Sequence, residues 1–360
     1  MVKANKENAH FLSLSGAGEI SVGPVMALPG LLAEFGVDPQ RALAAAGIKP
    51  QVFDHLANRM PLADMGRLLN ICVEETRCEH FGLLLGDRFE MRGFGPLGYL
   101  LQNSATVGDA VRMLVKNLHW HDRGAVPVFF APSPSKVTLG YSIYNHETEA
   151  IPQIYDTAIM IGFRIMHELC GPDWKPAHVQ LAYRKPVHAG PHRQYFQSQV
   201  QFNAEISGIV FESSDLKRPI AGADPILYRL VAKALADEMP QFMSFSDEVR
   251  EVLYQLVLSG TCSTDAVAHL FGLHERTLRR RLEDEGSQLH ALIKQARCEL
   301  AQQMLENTER SVASIAASLG YADANAFSRA FHTWSGVSPK AWRSSRGRKP
   351  QLARSKMGRL

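Results

Sequence analysis

Two short stretches of this chain present polar side chains able to grip a polyanion at helical spacing. In ERTLRRRLEDEG, starting at Glu275, Leu278 and Leu282 lie four apart and turn to one side of a helix. That puts Arg276, Arg279 and Arg280 on the other side, with Thr277 and Arg281 beside them. The planar arginine fork can hold guanine O6 and N7, or a phosphate, through paired hydrogen bonds. In ANAFSRAF, starting at Ala324, Phe327 and Phe331 take the inward places, and Asn325, Ala326, Ser328 and Arg329 look outward. Asparagine can pair bidentately with adenine, and alanine can pack against a thymine methyl. Lys340 and Arg343 follow as candidate phosphate contacts, which position a protein on DNA without reading its sequence. The plain alternative for the first set is an exposed basic helix offset by Glu283, Asp284 and Glu285.

A second group could do different chemistry. HWHDR at His119–Arg123, with His146 further on, contains metal-ligand types. Histidines two apart do not share a helix face, and no cysteine stands nearby, so neither a metal nor any other cofactor is expected. His119, Trp120, Tyr141, Tyr144 and Tyr155 could line an apolar effector pocket with a few polar handles, or could equally be aromatic core. GxSxG, HExxH, phosphate-loop and dinucleotide patterns are missing, and GFGPLG reads as a bend because a proline interrupts it. No enzyme is expected.

The elements that must position the first group form an internal repeat. STDAVAHLFGLHERTLRRRLEDEG, from Ser263, aligns with SVASIAASLGYADANAFSRAFHTWSG, from Ser311. Ser263 and Ser311 are candidate N-caps, and Gly272 and Gly320 stand where the first helix must stop. The second helix begins after His274 or Asp323, of which aspartate is the better cap. Each unit is a helix-turn-helix, at about 263–284 and 311–333. Between them Leu289, Ile293, Ala296, Leu300 and Met304 stripe a connecting helix. Phe327, Phe331 and Trp334 are expected in the core.

The rest of the chain is of another kind. Helical patterns run to about Leu118; then VPVFFA, KVTLGYSIYN, HVQLAY, SQVQFN and GIVFES alternate as strands around a long apolar helix ending near Cys170. The predicted fold is therefore two-domain, an α+β N-terminal domain followed by an all-α domain with two helix-turn-helix units joined by a linker helix. Its predicted segments are a flexible N-terminus over 1–22, an effector-binding and dimerisation domain over 23–220, a linker over 221–242, a DNA-binding domain over 243–343 and a basic tail over 344–360. Charge constrains the partner less than placement does: the net charge is +3 over 360 residues, so any DNA contact must come from a few outward side chains. Five scattered cysteines suggest a reducing cytoplasm. The N-terminus lacks the apolar run of a secretory signal, and IYDTAIMIGFRIMHEL is too short and too charged to span a membrane.

At these residues the chain resembles the AraC/XylS family of bacterial transcription regulators. VAHLFGLHERTLRRRL resembles the family's first helix-turn-helix, and IAASLGYADANAFSRAFHTWSGVSPKAWR its C-terminal signature; the likeness covers about residues 243–343. Phe271 stands where leucine is usual, a conservative exchange in a core. The resemblance implies DNA-contact roles for Arg276, Arg279 and Arg280 in one unit and for Asn325, Ala326, Ser328 and Arg329 in the other. The N-terminal part is similar not to the cupin-type arm of the arabinose regulator but to the arabinose-binding-type effector domain of ornithine-utilisation regulators, through MALPGLLAEFGVDP, GPLGYLLQNSATVGDAV and the helix before Cys170. It implies a promoter-binding activator with double-stranded DNA, RNA polymerase and a small-molecule effector as partners, and a dimerising effector module. The competing readings are a constitutive repressor or architectural DNA binder without an effector and, more remotely, an enzyme fused to a DNA-binding domain.

Overall fold

In a computed structural model, which describes residues 18–143, 148–238 and 244–346, the chain opens with a short strand β1 (Glu19–Ser21) and two helices, α1 (Leu28–Glu34) and α2 (Pro39–Ala45). Gly36, at φ +73°, turns the chain between them. The Asp38 carboxylate accepts the Gln40 N–H at 3.0 Å and starts α2. Strand β2 (Arg59–Pro61) returns antiparallel to β1. Helix α3 (Leu62–Thr76) buries Leu62, Met65, Leu68, Leu69 and Cys72, as their spacing predicts. After α4 (Phe81–Asp87) and α5 (Pro96–Gln102), Thr106 caps α6 (Val107–Asn117) by accepting the Asp109 N–H at 3.1 Å.

Strands β3 (Ala125–Ser133) and β4 (Lys136–Ile143) then form a hairpin, and α7 (Ile151–Cys170) follows. The sheet is completed by β5 (His178–Leu181), β6 (Val200–Phe202) and β7 (Ser207–Glu212), with α8 (Gly190–Phe196) between β5 and β6. Its order is β3-β4-β7-β5-β6, antiparallel except for the β5–β6 pair. Strands β1 and β2 and helix α8 were not legible in sequence: three residues are too few to show a period, and α8 begins at a Gly-Pro pair that reads as a turn. Tyr144 and His146 lie outside the described residues, as does most of the basic tail.

Helix α7 is enclosed on several sides, which explains its wide apolar surface. On one side α4 approaches so closely that it presents glycine. A Cβ on Gly82 would lie 2.3 Å from the Gln153 carbonyl oxygen, and one on Gly86 2.6 Å from that of Thr157. On another side the buried Asp156 carboxylate accepts the Tyr183 hydroxyl and faces His192 Nε2 at 3.2 Å. A polar group at this depth is tolerable only with such partners.

Strand β3 has two apolar faces. Ala125 and Phe129 join the core around α7, whereas Val126 and Val128 are buried in a second core and Phe130 packs against it. That second core belongs to the helices beyond α9 (Pro225–Glu238): α10 (Phe245–Leu258), α11 (Thr264–Leu270), α12 (Glu275–Asp284), α13 (Leu289–Asn307), α14 (Val312–Ser318), α15 (Ala324–Ser335) and α16 (Pro339–Arg346). The expected order of a mixed domain followed by an all-helical one with two helix-turn-helix units holds. Their direct docking through the sheet was not anticipated.

The close α4–α7 approach has a measurable consequence. Gly82→Ala should force the helices apart and cost about 1–3 kcal/mol, the usual range for overpacking a core, read as a lowered urea midpoint at unchanged m. A midpoint equal to that of the parent chain would contradict this packing.

Candidate nucleic-acid interface

The first unit is built by local chemistry. The Ser263 hydroxyl accepts the Ala266 N–H at 3.0 Å and starts α11. Gly272, at φ +62°, lets the chain reverse, and His274 Nδ1 accepts the Arg276 N–H at 3.3 Å to start α12. Leu278 and Leu282 are fully buried, which turns Arg276, Arg279 and Arg280 to solvent, with Thr277 half-buried at the margin. Arg279 sits 3.5 Å from Glu275, both side chains exposed, a contact weak enough for an incoming phosphate or base to displace. Arg281 is exposed but differently directed: its guanidinium lies 4.1 Å over the Phe245 ring of α10. The same junction is tied by Glu285, whose carboxylate accepts the Phe245 and Ser246 N–H groups at 2.8 Å each. These bonds hold the Glu285 carboxyl below its ordinary pKa.

The second unit repeats the plan with a firmer cap. The Ser311 hydroxyl accepts the Ser314 N–H at 3.1 Å, and Gly320 takes φ +75°. Asp323 Oδ1 accepts the Asn325 and Ala326 N–H groups at 2.8 and 2.7 Å, and these bonds lower its pKa. Phe327 and Phe331 are fully buried, and Trp334 packs partly buried beside Phe331 and Tyr321, as core. Asn325 and Arg329 are exposed; Ala326 and Ser328 are half-buried on the same helix. The Ser328 hydroxyl donates to the Ala324 carbonyl at 2.7 Å, leaving only its lone pairs for another partner.

The two candidate phosphate contacts separate. Lys340 is exposed. Arg343 is drawn inward: Nε donates to the Leu305 carbonyl at 3.2 Å and Nη2 to that of Arg310 at 2.6 Å, fastening α16 to the end of α13. Both units and α13 share one continuous core, from Val267 and Leu278 through Leu292 and Leu300 to Ile315 and Phe327.

Several bonds tie this assembly to the N-terminal domain. The Tyr155 hydroxyl on α7 donates to Gln303 Oε1 on α13 at 3.2 Å. Gln255 donates to the Pro127 carbonyl at 3.2 Å. The Asn203 side chain accepts the Glu309 N–H at 2.9 Å, and Arg310 meets Glu205 at 2.6 Å.

Within the N-terminal domain, α7, α3, α6 and β4 line a partly open cavity of about 130 Å³. Among the candidate effector residues Tyr141 lines it; His119, Trp120 and Tyr155 do not, and Tyr144 lies outside the described residues. Tyr155 is instead buried between the domains, with its ring edge-on to Tyr141 at 6.4 Å. The cavity is lined by His121 and Asp122, which sequence reasoning weighed only as metal ligands. Burial, helped by the charge of Arg59, pushes the His121 pKa down to about 3, so its imidazole is neutral. Burial raises Asp122 to about 6, against the opposing hydrogen bond from the Tyr141 hydroxyl. Among the described residues no helix is long and apolar enough to cross a membrane.

Comparison with known proteins fits this division. Residues 36–220 match the arabinose-binding domain of AraC transcription regulator, N-terminal, and residues 267–345 a helix-turn-helix domain. The HTH-type transcriptional regulator VirS of Mycobacterium tuberculosis is 27% identical over 88% of this chain and 94% of its own. The ornithine utilization regulator of Pseudomonas aeruginosa is 26% identical over 91% of this chain and 96% of its own. The crystal structure of the transcriptional regulator CdpR from Pseudomonas aeruginosa aligns with a TM-score of 0.42 and 21% identity, over 84% of this chain and 96% of that one. With an arabinose-binding-type domain followed by a helix-turn-helix domain, the chain belongs to the AraC/XylS family of DNA-binding transcriptional regulators.

Proposed function

We propose that this regulator is an activator whose hold on promoter DNA is set by a small-molecule effector in its N-terminal domain. The observation that carries the DNA half is the single core shared by the two helix-turn-helix units and α13. Units joined in this way keep a constant separation, so their second helices can enter neighbouring major-groove segments together. Arg276, Arg279 and Arg280 on α12 and Asn325, Ala326 and Arg329 on α15 are the groups we assign to base and backbone contact, with Thr277 and Ser328 at the margin. Lys340 is assigned to phosphate. Arg281 and Arg343 are assigned to structure, because both guanidinium groups already have partners inside the domain.

The effector half rests on geometry between the domains. Helix α7 lines the cavity on one side and reaches Gln303 of α13 through Tyr155 on another. A ligand that binds two docking arrangements with different affinity shifts the balance between them. In this reading residues 23–220 sense, 221–242 link and 243–343 bind DNA, and RNA polymerase is the partner of the bound activator. Exposed Ile226 and Leu230, four apart on α9, offer an apolar face for a homodimer.

Genomic fragments captured by the full-length chain, then footprinted, should show two protected half-elements about one helical turn apart. Protection of one half-element alone would remove one unit from the reading. Arg279→Ala and Arg280→Ala should each weaken specific binding by about 1–3 kcal/mol where the contact is bidentate to guanine. Equal loss on random DNA would assign that arginine to phosphate. Lys340→Ala should lower the slope of log affinity against log salt by about one, whereas Arg343→Ala should leave the slope unchanged and lower the melting temperature. Tyr155→Phe combined with Glu205→Gln should change the affinity of the unliganded protein for its captured fragment. Unchanged affinity would speak against transmission through this interface.

A further inference from the structure

The cavity beside α7 has a chemistry of its own. Ala158 and Gly162, four apart on α7, contribute little side chain to their face of it, and aliphatic residues such as Leu62, Met65 and Ile165 form most of the remaining wall. A Cβ added at Gly162 would meet only Ile209 Cδ1, at 3.4 Å. The space is therefore left by small residues rather than forced by backbone contact.

Most polar side chains in the wall already have partners. The Ser21 hydroxyl donates to the Leu56 carbonyl at 2.9 Å, and Thr157 bonds the carbonyls of Gly82 and Gln153. Asp122 Oδ1 takes the Gly124 and Ala125 N–H groups at 2.8 and 3.1 Å, and Oδ2 takes the Tyr141 hydroxyl. His121 is different. Its Nδ1 meets no partner at full hydrogen-bond geometry among the described residues, while the Phe94 backbone draws on the ring N–H. A buried polar atom left unpaired costs free energy that a ligand can recover by pairing it.

Resting on the effector reading above, we infer that this cavity binds a small, largely aliphatic, non-anionic molecule whose one hydrogen-bond donor pairs with His121. The volume suits about six to eight heavy atoms, since an apolar cavity of about 150 Å³ holds benzene. The neutral imidazole offers a lone pair rather than a charge. A carboxylate head would have to give up its water among aliphatic walls, beside the like charge of Asp122.

The test uses the full-length chain at pH 7.5 and calorimetric titration with 1-hexanol, hexanoate and dipropyl ether. Hexanol should bind, and hexanoate should bind at least tenfold more weakly. Ala158→Leu, which fills the space, should weaken hexanol at least tenfold while the thermal melt stays cooperative. His121→Phe, which keeps a ring but removes the acceptor, should abolish the preference for hexanol over the ether. If Ala158→Leu does not fold, Gly162→Ala fills the same face more gently and should weaken hexanol in the same direction. The inference is overturned if hexanol does not bind, if hexanoate binds as tightly, or if folded filling variants bind hexanol unchanged. Affinity for the captured promoter fragment is read in parallel. Hexanol binding that leaves this affinity unaltered supports the cavity assignment and removes the effector reading, so the two fail separately.

Discussion

The arrangement of this regulator depends on the first half of strand β3 having no solvent face. Val126 and Val128 point one way and Ala125 and Phe129 the other, and both sets are covered by helices. Alternating residues of a strand must face opposite sides of the sheet, so a strand apolar on both needs two covers. Helix α6 supplies one and α10 the other. Burying a valine side chain contributes about 1.5–3 kcal/mol, so the contact holds the domains together while a modest ligand free energy remains large enough to alter it. The polar bonds around it, Tyr155 to Gln303, Gln255 to the Pro127 carbonyl and Arg310 to Glu205, fix the register of docking.

The consequence for DNA follows through α13. This helix is both the spine between the two helix-turn-helix units and the surface that Tyr155 meets. A change in how α7 sits against α13 would act on both recognition helices at once. The units themselves are unequal. The first offers three solvent-facing arginines behind a histidine cap, and the second a small and polar face behind an aspartate that holds two backbone N–H groups. With a net charge of +3, the proposed DNA contact rests on these few side chains and not on a general basic field.

The sequence showed the helix-turn-helix domain more fully than the N-terminal domain, for a local reason. Caps at Ser263, Ser311 and Asp323, glycine turns at 272 and 320, and inward pairs four residues apart act within one or two helical turns, so their spacing alone reveals them. What the spacing could not reveal has the opposite cause. Arg343 looked like a phosphate contact because a cation near a helix-turn-helix is ordinarily exposed, and only the folded chain brings it to the Leu305 and Arg310 carbonyls. Tyr155, open in sequence between a pocket aromatic and aromatic core, is buried and bonds a residue on another domain. His121 and Asp122 were noticed for metal chemistry, whereas their neighbours across the cavity come from α3, α6 and α7.

Sequence alone determined most of the helices and strands, the repeat and the outward polar faces, because each follows from periodicity and short-range hydrogen bonding. It also carried the family likeness, since those local patterns are what relatives share. Tertiary structure decided the strand order, the close glycine packing of α4 on α7, the cavity and the docking of both domains on one sheet. These depend on residues far apart in the chain meeting at short distance, and no local spacing encodes which apolar face will cover which.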